Sequence, residues 1–146
     1  MAILGLSRAI PLVMSVPGTL AAGDGWDLHT LDFPAILWKV DMVVAANGAS
    51  SGNTDFVIER TPSGGAAGDL WTVASGCGRI AHDSTNLYLT WDWENANMTG
   101  YAAGQLYPPT GARLAKGDAL KLNIDAVPGT ASTSLTVRLW LVPLAD

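Results

Sequence analysis

The sequence predicts an all-β fold: a single-domain β-sandwich or jelly roll with an extended N-terminal arm. The first observation is that apolar and polar residues alternate with a period of two in several separate segments, as in strands with one buried face. The second is that no segment of useful length has the 3.6-residue period of an amphipathic helix. The third is size, because 146 residues suffice for one domain with one core.

Composition agrees with strands and turns rather than helices. The chain has 16 glycines, 9 serines and 12 threonines, but only two glutamates and three lysines, the residues that usually cover exposed helices. Charged residues make up 14% of the chain, against roughly 25% in typical soluble domains. A surface so poor in charge is typical of a protein that adheres non-specifically or that is normally covered by partner chains. The alternative is the apolar area that every protein surface exposes.

Residues 1–22 are predicted to form an N-terminal arm or edge strand, and residues 23–146 the sandwich domain. The arm is apolar and holds a single cation. Pro11 and Pro17 interrupt the apolar run, which is too broken for a signal peptide and too short for a membrane span. An extended strand at 10–16 is expected to pack on its own domain, or to add main-chain pairing to a neighbouring chain.

The next strand is predicted at residues 36–44, where the alternation places five apolar side chains on one face. We expect that face to be buried. It consists of Ile36, Trp38, Val40, Met42 and Val44. Shorter strands are predicted at residues 55–60, 70–75 and 86–93.

The last third of the chain has the clearest pattern. Two sets of apolar residues each alternate with polar ones, which predicts two amphipathic strands. These sets are Leu120, Leu122 and Ile124, then Leu135, Val137, Leu139 and Leu141. Pro128-Gly129 between them is typical of a β-turn. The two strands are therefore predicted to pair as an antiparallel hairpin, in a fold of about seven or eight strands.

Five of the six tryptophans divide into two groups. Trp38, Trp91 and Trp93 lie on the apolar faces of predicted strands, which favours a place in the core. Trp71 and Trp140 do not lie on such faces, and an outward tryptophan on a strand is costly unless something covers it. Aromatic anchors are enriched at protein interfaces, and a flat aromatic ring can also stack on sugars.

Catalytic, cofactor and metal motifs are missing from the sequence, so we expect neither an enzyme nor a cofactor. The acidic residues of segment 24–32 are only a fragment of a calcium loop, and a solvated turn is the favoured interpretation. Asp92 and Glu94 are neighbours on one strand, which favours an exposed polar rim over a glycosidase pair. Cys77 is interpreted as a small apolar filler. A net charge of −5 without a basic cluster argues against nucleic acid.

The C-terminal region resembles a known class of small β proteins. Segments 114–124, 128–131 and 135–139 look like the closing hairpin of proteins encoded in tailed-phage structural gene clusters. In size, in its Ala/Gly/Thr-rich composition and in its lack of catalytic motifs, the chain is similar to head-decoration (cement) proteins. The resemblance implies a homotrimer on the outer surface of the virion capsid. There it would bridge major capsid protein subunits and reinforce the shell, without a cofactor and without contact with nucleic acid or membrane.

On this interpretation the arm supplies the capsid contacts, at Ile10, Leu12, Val13 and Val16. Trp71 and Trp140 are predicted at the oligomer interface. The resemblance itself carries no residue assignments. Deletion of residues 1–16 is expected to leave a folded domain that no longer binds heads. The alternative is a carbohydrate- or receptor-binding β-sandwich module, a phage tail or fibre domain or a carbohydrate-binding module, that uses exposed tryptophans.

Overall fold

The computed structural model describes residues 9–70, 78–81, 88–92, 104–106 and 113–145. Within these ranges the chain forms eleven β-strands and no helix. In chain order they are β1 Ile10–Thr19, β2 Gly23–Thr30, β3 Ala35–Ala46, β4 Asn53–Thr61, β5 Gly68–Asp69, β6 Gly78–Ala81, β7 Tyr88–Asp92, β8 Gly104–Leu106, β9 Arg113–Leu114, β10 Ala119–Ala126 and β11 Thr133–Pro143. The count exceeds the expected seven or eight because several of these strands are only two to four residues long.

The strands form two antiparallel sheets. The first has the order β1-β11-β3-β7, with β9 also paired to β3, and the second has the order β2-β10-β4-β6-β8, with β5 also paired to β4. The all-β sandwich predicted from the sequence is confirmed. Because β1 and β2 each end the order of their sheet, both are edge strands.

The core lies between the inner faces of the two sheets. Its largest fully buried side chains include Phe56 from β4, Met14 from β1 and Met42 from β3. The alternation predicted for β10 and β11 is confirmed, since all seven apolar side chains of that pattern are at most 1% exposed. These two strands therefore contribute one apolar face each to the same core.

The predicted hairpin between β10 and β11 is wrong. β10 pairs with β2 and β4 in the second sheet, whereas β11 pairs with β1 and β3 in the first. The connection at 127–132 therefore crosses from one sheet to the other. Alternation shows which face of a strand is buried, but two such faces can lie side by side in one sheet or opposite each other across the core. The segments that resemble a phage-protein hairpin thus form a crossover between sheets.

A buried polar network fixes this crossover against the loop between β3 and β4. Ser132 Oγ accepts the Gly48 N–H at 3.0 Å, donates to Asn47 Oδ1 at 3.2 Å and lies 2.6 Å from Thr54 Oγ1. The main chains of the two loops also exchange hydrogen bonds between Ala49 and Thr130. Main-chain polar groups of residues 127–132 therefore form hydrogen bonds with the β3–β4 loop instead of across a hairpin.

Replacement of Ser132 by alanine is expected to destabilise the protein by about 1–3 kcal/mol, because it leaves the buried Thr54 hydroxyl without a partner and the Gly48 N–H with Asn47 Oδ1 alone. Urea unfolding followed by circular dichroism measures the change. Ser51→Ala, at an exposed serine of the opposing loop, is the matched control and should cost no more than about 0.5 kcal/mol. Equal unfolding midpoints for the two variants would show that the network adds nothing.

The core face of β3 differs from the prediction because the strand contains a β-bulge. Lys39 pairs with Trp140 of β11, but the next pair joins Leu37 to Leu141, so Trp38 is an extra residue on its strand. The alternation changes phase there. Leu37 replaces the predicted Ile36 and Trp38 in the core, and both of those side chains are half-buried. A one-residue insertion moves every side chain beyond it to the other face.

Candidate interaction surface

The two edge strands lie next to each other at one side of the sandwich. Residues 20–22 connect β1 to β2, and the Ser15 N–H of β1 donates to Asp27 Oδ2 of β2 at 2.7 Å. This hydrogen bond joins the free edge of the first sheet to the free edge of the second. We refer to residues 10–19 and 23–30 together as the β1–β2 edge.

The β1–β2 edge carries the exposed large hydrophobic residues of the described part of the chain. Ile10 is 46% exposed, Val13 47%, Trp26 44% and Leu28 67%. Scattered apolar residues are normal on protein surfaces. Four lie on these two adjacent strands, Ile10 and Val13 on opposite faces of β1, and none lies elsewhere among the side chains that the structure describes, which makes this edge the candidate interaction surface.

β2 is unusual because it buries none of its described side chains. Apart from Asp24, whose side chain is not among those described, its residues are exposed or half-buried. A strand in a sandwich normally packs one face on the core. Trp26 and His29 pair with the buried Leu122 and Leu120 of β10, so they face the core side of their sheet but lie at its open edge.

The free main-chain edge of β1 is largely closed to strand addition. Successive N–H groups of a strand point to opposite sides, and that of Ser15 points away from β11 toward Asp27. Pro11 and Pro17 occupy positions on the same side and have no N–H. Within the part of the chain that the structure describes, the Val13 N–H is the one outward donor of residues 11–17 left without a partner. Proline on an edge strand is a common protection against unwanted pairing, so the expected main-chain pairing with a neighbouring chain is disfavoured here.

Replacement of Pro11 by valine restores one outward N–H to β1. We expect concentration-dependent oligomers in sedimentation velocity, because the edge then offers two consecutive outward donors to a second chain. Thr19→Val adds a similar apolar side chain on the same strand without adding a donor, and it should remain in the wild-type state. If both variants associate alike, apolar area and not the main-chain edge controls association.

The four predicted capsid-contact residues occupy different positions. Ile10 and Val13 are exposed. Leu12 is half-buried and packs against the core, and Val16 is 1% exposed within it. The assignment of Val16 to a partner contact needs correction, because β1 pairs with β11 along its length and turns this face inward. Residues 10–19 are thus an integral edge strand and not a free arm.

Of the two predicted interface tryptophans, the structure describes one, Trp140. Trp71 lies outside the described residues, as does Trp93, and the side chain of Trp91 is not among those described. Trp140 is half-buried on the outer face of the first sheet, and its Nε1–H donates to Asp41 Oδ2 at 2.9 Å. Trp140 therefore helps to stabilise a carboxylate of its own sheet that is only 4% exposed. Its place at an oligomer interface stays a prediction.

Trp26, Asp27 and Leu28 are not among the candidate contact residues predicted from the sequence. The prediction of a solvated turn at residues 24–32 is wrong, because residues 23–30 form β2. The sequence signal for this strand is a short alternation, in which apolar Trp26 and Leu28 flank Asp27. It is weak because the residues on either side do not continue the period of two. Asp27 has a φ of 55°, a left-handed conformation that breaks the regular strand period.

The remaining chemistry of the described residues is limited. They hold no group of three or more His, Cys, Asp or Glu side chains that could bind a metal ion. A surface cleft of about 330 Å³ brings together Pro34, Arg113, Leu114, Ala115, Leu144 and Ala145, with no second charged side chain beside the arginine. Cys77, His82 and Glu94 lie outside the described ranges, and the Asp92 side chain is not described.

Comparison with known proteins adds no assignment. No protein-family model matches the chain, and a search of curated proteins found no match. A search of the described residues for a helix long and apolar enough to cross a membrane found none.

Proposed function

We propose that the protein is a structural virion protein, a decoration protein that binds the outside of a tailed-phage head. In this role it reinforces contacts between major capsid protein subunits as a homotrimer. The single observation that carries the proposal is the β1–β2 edge, where exposed Ile10, Val13, Trp26 and Leu28 collect on two adjacent strands. The hairpin likeness of the C-terminal region is not retained in the fold, so the class of partner comes from the similarity to head-decoration proteins in size and in Ala/Gly/Thr-rich composition.

The proposed mechanism is burial of apolar surface, with no chemical step. Complete burial of an aliphatic side chain is worth about 1.5–3 kcal/mol, and these side chains are about half exposed before binding. One protomer therefore gains a modest free energy of binding. A trimer binds at three points at once, and the linked contacts multiply into a stable complex.

The charge of the surface is consistent with a protein partner. β1 and β2 contain two aspartates and no lysine or arginine. The whole chain has a net charge of −5. A partner that covers this edge therefore needs an apolar surface with cationic side chains.

The direct test is co-sedimentation of the purified chain with expanded heads of the phage whose genome encodes it, followed by cryo-electron microscopy. The proposal expects saturable binding and density on the outer shell, with β1 and β2 toward the capsid surface. Light scattering of the free and bound protein tests the homotrimer. Absence of the protein from both expanded heads and purified virions would overturn the proposal.

A carbohydrate- or receptor-binding module is the second candidate, and the exposure of Trp26 favours it. An indole ring on an open strand is a suitable platform for stacking on a sugar. A glycan array distinguishes the two functions. Specific binding that disappears in Trp26→Ala, with the fold retained, would support the module, whereas head binding with a blank array supports the decoration protein.

A further inference from the structure

We propose that Asp27 is the charged contact of the β1–β2 edge and that it binds a lysine or arginine side chain of the partner protein. That the partner is a capsid subunit rests on the proposed function. That Asp27 binds a cationic side chain is inferred from the geometry of its carboxylate.

The carboxylate of Asp27 is held in one orientation. Its Oδ2 accepts the Ser15 N–H at 2.7 Å, and its backbone is fixed in the left-handed region at φ 55°. Its Oδ1 lies 4.0 Å from His29 Nε2, too far for a hydrogen bond. Within the described part of the chain, Oδ1 therefore accepts no hydrogen bond. The side chain is 43% exposed, so this free oxygen can be reached from solvent.

The surroundings of Asp27 favour a cationic side chain on a partner that covers it. Trp26 and Leu28 flank it and are exposed. Neither β1 nor β2 contains a lysine or arginine, and their one basic side chain, His29, lies 4.0 Å from Oδ1. A partner that covers the carboxylate together with these apolar side chains removes its water, which costs free energy unless a cation replaces that water. The carboxylate thus rejects a purely apolar surface and accepts one that carries a positive charge.

The geometry favours a one-point contact. One carboxylate oxygen already accepts a main-chain hydrogen bond, so the two-point contact of a guanidinium with both oxygens is hindered. A lysine ammonium, or one N–H of an arginine, fits the free Oδ1. Burial of such a pair among apolar side chains strengthens its electrostatic interaction relative to a pair in water.

Asp27→Asn is the variant that tests the charge alone. Asparagine tolerates the left-handed conformation, and its side-chain oxygen can still accept the Ser15 N–H, so the fold is expected to remain. The matched control is Asp32→Asn, which removes an exposed charge just beyond β2. Amide exchange at Ser15 and thermal unfolding check that Asp27→Asn keeps the native edge.

The first measurement uses a defined probe and does not depend on phage heads. Amide spectra of the ¹⁵N-labelled protein are titrated with acetyl-Leu-Lys-Leu-amide and with the uncharged acetyl-Leu-norleucine-Leu-amide. The lysine peptide should shift the Ser15 amide and the Trp26 indole at a concentration at least threefold lower than the uncharged peptide. Asp27→Asn should remove this difference, and Asp32→Asn should keep it. Equal shifts with both peptides on the wild-type protein would overturn the inference.

The second measurement uses expanded heads. Asp27→Asn should bind about tenfold more weakly at low salt and show a smaller loss of affinity as salt rises. Ser15→Pro keeps the charge but removes the N–H that orients it, at a position where β1 tolerates proline, and should weaken binding by about threefold. Wild-type affinity in both variants would contradict the inference while leaving the proposed function standing. Failure of the wild-type protein to bind heads would contradict the proposed function alone, because the peptide titration still decides the role of Asp27.

Discussion

Replacement of both Val13 and Leu28 by aspartate is expected to abolish binding to expanded heads without unfolding the protein. The two side chains are 47% and 67% exposed, so neither substitution leaves a cavity in the core. Each removes at least about 1 kcal/mol of apolar burial at the interface and adds a charge that the partner would have to desolvate. Together these effects correspond to a loss of affinity of about a hundredfold or more.

Sedimentation of the variant with heads over a range of concentrations measures this loss. The matched control is Ala66→Asp with Ala145→Asp, which adds the same two charges at exposed positions away from β1 and β2. The control should bind within about twofold of the wild type if the edge is the binding surface. Equal weakening of both proteins would mean that net charge, and not the β1–β2 edge, determines binding.

The β1–β2 edge consists of one terminal strand from each of the two sheets. A sheet needs an edge on each side, and an open edge invites pairing with other chains. In the first sheet, prolines and the Ser15–Asp27 hydrogen bond satisfy or remove most outward donors of β1. The edge is thereby closed to strands but remains open to side-chain contacts. Such an edge can bind a defined protein surface without promoting uncontrolled assembly.

The sequence was sufficient to predict the strands whose alternation is regular. In β10 and β11 each apolar residue lies in the core, because an uninterrupted period of two leaves no ambiguity about the buried face. The pairing of these strands could not be predicted in the same way. Which sheet a strand joins depends on contacts between distant loops, and here Ser132 makes those contacts with Gly48 and Thr54.

The bulge at Trp38 shows a second limit of sequence patterns. Ile36 and Trp38 continue the alternation of Val40 as well as any core residues do. The inserted residue is recognised only from the register with β11, where Leu141 pairs with Leu37. Because β3 has apolar residues on both faces, the sequence does not show at which residue the buried face changes.

The interaction surface was predictable only in part. The apolar residues of 10–16 were correctly expected to form a strand, but their hydrophobicity could not separate core contacts from partner contacts. The register with β11 determines which of these side chains are buried. Val16 faces the core and Val13 faces solvent. The role of β2 depends on its place beside β1 and on the left-handed Asp27, and neither property is encoded in a local periodicity.

Deletion of residues 1–16 is expected to unfold the domain, contrary to what a free arm would imply. The deletion removes Met14 and Val16, which are 0% and 1% exposed, and leaves one edge of β11 without a partner. Loss of a single buried methionine side chain costs about 2–5 kcal/mol. With the loss of Val16 and of most of the β1–β11 pairing, the total reaches the roughly 5–15 kcal/mol by which whole domains are stable.

Circular dichroism and amide spectra of the truncated chain measure the outcome, which should be loss of dispersed signals and aggregation through the exposed edge of β11. Deletion of residues 1–8 leaves β1 whole, and its urea midpoint is the reference against which the removal of residues 9–16 is measured. A cooperative transition at that same midpoint after removal of 1–16 would show that β1 adds no stability. If the truncated chain is unfolded, its failure to bind heads reports only that loss of structure. Point substitutions at exposed Val13 and Leu28 are then the proper test of the surface, because they change what a partner contacts and leave the core intact.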